Sequence, residues 1–473
     1  MTGRRDFLKQ MVAGTAFMAP LVIGGRAIGL DGAVSANERV TMGLIGCGQH
    51  GVEWNMSLMF DNPEQQVVAV CDVDHLRMQD AKRRVEEFYT AAQNSDGSGV
   101  SAYTCAAYED FRDLINRKEI DAVDIVTPDH WHVLMAVMAM RAGKDVICEK
   151  PTLTIAEGRL LSDTQRATQR VYQTASENRS IDEYQRIVSA VRSGQIGELR
   201  HMKVLLPPGL VDKGKINPTF EDRAPPPHLD YEKWLGPAPL RPYVEARVHY
   251  NWRWNLDYSG GSLTDWGAHM INLAQWANNS DATGPVSVCG RGDFPDETEV
   301  WNATPTFDID YVYGNGVTMR VWNEVPGIKF EGTKGWILNR GWRGDTTASD
   351  ERLLTWTPGS GDVDVGRAES VVGRAGPSPV TGKSMGGEHV DFTRCVKSRE
   401  LCYYSAECGH RNHTIAHLGN TSMKLGGAKL TWNPETERFE GERADEANES
   451  RFVHRPMRAP WTIDAIDSWI NVG

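Results

Sequence analysis

Asp265 and His269 stand four residues apart in the stretch 260–269, GGSLTDWGAH. Residues 262–278 read as a helix, and positions i and i+4 share one helix face. A carboxylate beside an imidazole holds its tautomer and raises its basicity, which suits a general base for a hydroxyl proton. Taken alone, such a pair is more often a plain hydrogen bond on a helix face. Lys150 is the second candidate. It closes a short apolar run, 145–148 (DVIC), and precedes Pro151, which fixes the local backbone. A lysine there can hydrogen-bond an oxygen undergoing redox and stabilise negative charge developing on it.

A place for a redox nucleotide lies earlier, at 39–51, RVTMGLIGCGQHG. An apolar run passes into Gly46-x-Gly48-x-x-Gly51 and then into residues 52–60, which read as a helix. Gly46 permits the tight turn, Gly48 lets the backbone approach a pyrophosphate, and Gly51 lets the helix pack close to the strand. Phosphates would sit on the free N–H groups at the helix start, beside Gln49 and His50. A second apolar run, 67–71, ends at Asp72, 21 positions past Gly51 and near the offset at which an acid meets the adenosine ribose 2′-hydroxyl. An acid there repels a 2′-phosphate. The expected nucleotide is NAD, with NADP the alternative.

The elements that must position these residues follow from periodicity. Strands at 121–126, 145–148 and 170–176 alternate with helices at 75–92, 108–118 and 133–142, which predicts a doubly wound parallel sheet. The 121–126 strand runs into Thr127, Pro128, Asp129 and His130 at the carboxyl edge, where open sheets bind ligands. Past residue 200 the pattern changes. A strand at 201–206 precedes a Pro-rich stretch, 207–242, read as a binding or lid loop. Hairpins are expected at 306–322, around Gly314-Asn315-Gly316, and at 328–338. Helices follow near 388–397 and 407–425, and 344–387 reads as containing an exposed loop. The fold class is therefore α/β: a nucleotide domain over 37–160, then an α+β domain with a mainly antiparallel sheet over 161–430, and a tail over 431–473.

Bulk properties narrow the function. A net charge of −12 over 473 residues argues against a nucleic-acid partner. The eight Cys form no CxxC pair and no metal-ligand spacing, so neither a metal nor a disulfide is expected. His410, His413 and His417 could share a helix face, but packing explains them better than a metal. Several of the fifteen Trp fall between 234 and 276, as core filling or as a sugar-stacking surface. Residues 1–36 carry Arg4-Arg5 before a weakly apolar stretch and end near a small-x-small pattern. They read as a twin-arginine leader, which predicts a periplasmic protein exported folded, with no membrane span in the mature chain.

Gly46-x-Gly48-x-x-Gly51, Glu149-Lys150-Pro151 and Asp265-x-x-x-His269 in that order resemble the Gfo/Idh/MocA oxidoreductases over residues 38–430. Trp234-Leu-Gly-Pro and the stretch 409–420 are seen in exported members. The resemblance implies a second domain whose open sheet makes dimer or tetramer contacts. It assigns Lys150 as the active-site lysine, His269 as the proton-transfer residue and Asp265 as its partner. It places Thr127, Pro128, His130 and Glu149 at the nicotinamide, and offers Asn178, Arg179, Trp252 and Arg253 as further substrate candidates. Some members carry an acid where this chain has Asn272. The implied activity is hydride transfer between NAD(P) and a secondary hydroxyl or ketone of a sugar, sugar derivative or cyclitol. Alternatives are NAD-dependent glycoside cleavage through transient oxidation and elimination, and a non-catalytic nucleotide-loaded sugar sensor.

Overall fold

The computed structural model describes residues 36–95, 102–210, 219–366 and 387–470. The first half is a six-stranded parallel sheet in the order β3-β2-β1-β4-β5-β6. Its strands are β1 (Val40–Ile45), β2 (Gln65–Cys71), β3 (Ala106–Tyr108), β4 (Ala122–Ile125), β5 (Asp145–Glu149) and β6 (Tyr172–Ala175). β4 is wholly buried, and β1 and β5 nearly so, because helices cover both faces of the sheet. The strand order reverses between β1 and β4, which opens a crevice at their carboxyl ends. Gly46 follows β1 and Thr127 follows β4, so both lie at that crevice. The doubly wound fold is as expected, but its sheet extends to Ala175, past the boundary placed at residue 160.

The second half is a nine-stranded sheet in the order β13-β12-β11-β7-β10-β9-β8-β14-β15. These are β7 (Leu199–Leu206), β8 (Pro285–Arg291), β9 (Asp308–Tyr313), β10 (Thr318–Asn323), β11 (Gly327–Gly332), β12 (Trp336–Arg340), β13 (Thr346–Ala348), β14 (Leu430–Asn433) and β15 (Arg438–Glu440). Only β7 and β10 pair in parallel, so the sheet is mainly antiparallel, and both expected hairpins form. One face packs Ile309, Tyr311, Met319 and Val321 against helices Asp182–Arg192, Gly267–Ala277 and Ala406–Lys424. Alternate residues such as Asp310 and Arg320 face outward.

Three expectations change. The helix expected over 262–278 is divided at Trp266 into Ser262–Asp265 and Gly267–Ala277. The His269 N–H bonds the Trp266 carbonyl three residues back, a tightened turn that offsets Asp265 from His269. The Pro-rich stretch is fastened to the nucleotide half where it is described: the His75 N–H bonds the His228 carbonyl (2.8 Å) and the Asp230 N–H bonds the Val73 carbonyl (2.9 Å). The segment after residue 431 is no tail. It contributes β14 and β15, and its Trp461 and Ile466 cover helix Asp129–Arg141, twelve of whose thirteen residues are buried. The expected leader lies outside the described residues, as do 211–218 and 367–386 of the expected loops.

Candidate active site

Lys150 leaves the end of β5 and crosses to the second half of the molecule. Its Nζ donates to Asp265 Oδ1 at 2.6 Å and lies 3.2 Å from the Asp265 carbonyl oxygen. The two side chains are only 10% and 16% exposed, so the pair interacts with little screening. Burial alone would discharge both groups. The Asp265 and Glu149 carboxylates override it and hold the Lys150 pKa above its ordinary value. In the same way Lys150 and Arg253 overcome burial and hold Asp265 well below the carboxylate range. Removing one member of such a pair costs about 3–5 kcal/mol. Arg253 closes the group: its Nε lies 3.7 Å from Asp265 Oδ2, and its guanidinium sits over the Trp252 and Tyr250 rings.

His269 has a different partner from the one expected. Among the described residues no hydrogen bond joins it to Asp265. Its Nδ1 lies 3.1 Å from Ser176 Oγ and 3.9 Å from Glu177 Oε2. Arg343 Nη2 in turn donates to Glu177 Oε1 at 2.9 Å. The Glu177 carboxylate favours a proton on Nδ1, which leaves Nε2 as the nitrogen for a substrate. Burial, with the Lys150 charge nearby, lowers the His269 pKa to about 4, so the ring is neutral near pH 7.

Asn178 and Arg179 stand behind this histidine and do not line a pocket. Asn178 Nδ2 donates to the His269 carbonyl (2.7 Å), and its Oδ1 accepts from Trp342 Nε1 (3.1 Å). The Arg179 guanidinium, 4% exposed, forks onto both Asp281 oxygens and onto Asn272 Oδ1. Asn272 thus holds a buried arginine. Trp234, Trp254 and Trp276 are core, whereas Trp252 and Trp266 stay partly exposed.

The nucleotide crevice fits the expected group. Gly46 has φ +99°, and a Cβ on it would lie 2.3 Å from the Val126 carbonyl oxygen; one on Gly51 would lie 2.2 Å from that of Gly46. At Gly48 only the Arg77 guanidinium comes within 4 Å of such an atom, so the backbone is open to a phosphate. The helix after it opens as a single π-helical turn, Gly51–Asn55. The Asp72 carboxylate receives the N–H groups of Cys47 (2.7 Å) and Asp74 (2.8 Å), which aligns the end of β2 with the glycine turn. Gln49 lies at the rim, bonded to Glu53. His50 bonds Glu149 (3.0 Å), whose pKa falls to about 2 as His50 and Lys150 outweigh burial. Thr127 Oγ1, beside Pro128 at the crevice, is buried without a partner, a hydroxyl that fits a bound ligand. His130 does not line the crevice: it is 1% exposed and its Nε2 bonds the Trp234 carbonyl oxygen.

Sequence reasoning missed what holds Lys150 in place. His132 spans the carbonyl oxygens of Thr127 and Pro151, 2.8 Å from each. The Thr152 N–H donates to His413 Nδ1 (3.2 Å), and His417 Nε2 donates to the Thr152 carbonyl (2.9 Å). Two of the three helix histidines therefore grip the turn after Lys150, and His410 bonds Glu437. Glu177 was missed as well. Its signal was its place just past the end of β6, the same edge that carries Thr127 and Glu149. Two buried acids stand out. Glu388 is pushed up by burial and by Glu177 to about 8, so it stays protonated near neutrality, and burial with the Asp265 charge pushes Asp129 up as well.

A glycine-turn nucleotide half that sends a lysine to an acid on an open-sheet half defines a two-domain nucleotide-binding oxidoreductase. Residues 40–176 match the "Oxidoreductase family, NAD-binding Rossmann fold" of the Gfo/Idh/MocA group, and residues 211–358 and 384–463 match its "C-terminal alpha/beta domain". The chain belongs to the Gfo/Idh/MocA oxidoreductase family, and its first half is an NAD-binding Rossmann domain. "Glycosyl hydrolase family 109 protein 2" of Shewanella sp. (strain ANA-3) is 34% identical over 217 residues, 42% of this chain and 44% of that protein. "Inositol 2-dehydrogenase 2" of Saccharopolyspora erythraea is 29% identical over 203 residues, 41% of this chain and 53% of that protein. The match thus spans about half the length of these relatives. In fold, the chain is similar to the aldose-aldose oxidoreductase of Caulobacter crescentus, complexed with glycerol (TM-score 0.56, 14% identity, 83% of this chain and 99% of that one). It is likewise similar to the WlbA dehydrogenase of Bordetella pertussis in complex with NADH and UDP-GlcNAcA (TM-score 0.56, 14% identity, 84% and 99%).

Proposed function

We propose that this chain is an exported NAD-dependent oxidoreductase acting on a secondary hydroxyl or ketone of a sugar, sugar derivative or cyclitol. The observation that carries the reading is the Lys150–Asp265 pair beside a neutral His269. Bound over the Gly46–Gly51 turn, NAD supplies hydride acceptance and donation. His269 Nε2 takes the hydroxyl proton, and Ser176 and Glu177 steady Nδ1–H as the ring becomes cationic. Lys150 donates to the reacting oxygen and stabilises its developing charge, and Asp265 keeps the ammonium charged and aimed. The twin-arginine leader supports a periplasmic location, and the outward face of the nine-stranded sheet supports a dimer or tetramer.

The family 109 name of a relative favours a second reading on the same residues. Transient oxidation would acidify a neighbouring C–H, a glycosidic bond would be eliminated, and the nucleotide would return to its starting state. The two readings part in one assay. Purified protein is given NAD with a panel of sugars, cyclitols and nitrophenyl glycosides while near-ultraviolet absorbance of reduced nicotinamide and nitrophenol release are followed. Net reduction supports the dehydrogenase, and nitrophenol release without net reduction supports the glycosidase. Turnover untouched in both Lys150→Ala and His269→Ala sinks both mechanisms. Bound nucleotide with neither signal across the panel returns the chain to the sugar-sensor reading.

A further inference from the structure

Cys395 lies in the last turn of helix Gly387–Ser398, and Cys402 lies just past the exposed turn that follows it. Both thiols are buried, at 0% and 3% exposure, in the core that packs against the nucleotide sheet. Their Sγ atoms and a carboxylate oxygen of Asp391 all lie within 4.8 Å of one another. Three such groups suggest a metal, but their other contacts argue against one. Arg394 Nη2 donates to Asp391 Oδ1 (3.1 Å) and lies 3.2 Å from Cys395 Sγ, and the Tyr403 N–H occupies Asp391 Oδ2 (2.9 Å). A metal ion would have to displace a guanidinium and a backbone donor and then find further ligands. The same arginine puts a cation beside the Cys395 sulfur, which favours its thiolate against burial and the Asp391 carboxylate.

We infer that Cys395 and Cys402 are a redox-active thiol pair that closes to an intramolecular disulfide. The turn between them is exposed and its Leu401 is 65% exposed, so an oxidant reaches the sulfurs by opening this turn and releasing the Arg399 bonds to Asp145. The oxidant is a small-molecule or protein disulfide. The Cys395 thiolate attacks one of its sulfurs and releases the other as a thiol. The Cys402 thiolate then attacks the Cys395 sulfur of the mixed disulfide and releases the second thiol. Two protons leave the pair, and its two electrons reduce the reagent disulfide to two thiols. The bond would staple the end of helix Gly387–Ser398 to Tyr403 and Tyr404. The Tyr403 carbonyl accepts from Arg179, and the Tyr404 carbonyl accepts the Thr174 N–H of β6. A reducing compartment keeps the pair open and an oxidising one closes it.

The test uses the full chain incubated with glutathione disulfide, denatured with a maleimide and weighed intact. With eight cysteines in the chain, the inference expects six labelled after oxidation and all eight after reductant, with a mapped link between the peptides carrying Cys395 and Cys402. The melting temperature of the oxidised protein should exceed that of the reduced protein by a few degrees, and Cys395→Ser/Cys402→Ser should abolish the difference. If that variant fails to fold, the wild-type comparison and the thiol count still decide. Eight labelled thiols after oxidation, a link to another cysteine, or stoichiometric zinc lost in Cys395→Ser would overturn the inference.

Discussion

Lys150 and Asp265 lie 115 residues apart in the chain, yet a 2.6 Å hydrogen bond joins them across the two halves of the molecule. Each charge exists in a buried place because the other does. Replacing Asp265 by Asn leaves the buried lysine without its main anionic partner, so its pKa should fall. The expected outcome is a kcat lower by about 10²–10³, the scale seen when an electrostatic donor to a developing oxyanion is lost. The alkaline limb of the rate profile should also move to lower pH, while Kd for NAD changes little. A pH profile of Asp265→Asn beside wild type checks both, and an alkaline limb that stays put would disprove the pairing's role.

Gly46 and Gly48 belong to one motif but should respond differently. At Gly46 both the positive φ and the nearby Val126 carbonyl oppose any side chain, so Gly46→Ala should lower the melting temperature and NAD affinity together. At Gly48 a methyl group meets only the flexible end of Arg77. Gly48→Ala should therefore fold normally and lose NAD affinity by at least about tenfold, which is about 1.4 kcal/mol. Thermal melts with a nucleotide titration separate the two. Equal effects on stability would refute the division of labour.

Most of the nucleotide half was legible because its signals are local: strand, glycine turn, helix, second strand and acid follow one another in the chain. The active site was legible as residue types but not as pairings. Asp265 and His269 invited an i, i+4 bond, yet long-range partners, Lys150 for one and Ser176 with Glu177 for the other, win once a tightened turn at Trp266 offsets the two. The helix 129–141 carried a signal that went unread. Its residues 133–140 are apolar all round, so a single sheet face could not cover them, and the segment beyond residue 431 supplies the second layer.

The Thr152 backbone sets the tautomers of His413 and His417: Nδ1 of one accepts, and Nε2–H of the other donates. Asn places an oxygen where Nδ1 stood, and Gln places an N–H where Nε2 stood. His413→Asn and His417→Gln should keep most activity. His413→Leu and His417→Leu should lower kcat by about 10–100-fold with little change in NAD affinity, because a small misplacement of Lys150 disorders the reacting geometry. Steady-state kinetics on the four variants decides. A role limited to stability would lower melting temperatures alike and leave kcat per folded molecule unchanged.

The His269 pKa of about 4 predicts the acid side of the rate profile. A base must be unprotonated to act. Activity therefore stays on its plateau while pH lies above this value and falls as pH drops through it. An ordinary solvent-exposed histidine, near 6.5, would lose activity a few pH units earlier. Burial and the Lys150 charge produce the difference, so Lys150→Met should move the limb upward in whatever activity remains, whereas Glu177→Gln, which removes a stabilising anion, should move it further down. The measurement is kcat/KM from about pH 2.5 to 8, which reports the free enzyme. A wild-type limb near 6.5, or one unmoved in both variants, would show that another group is the base.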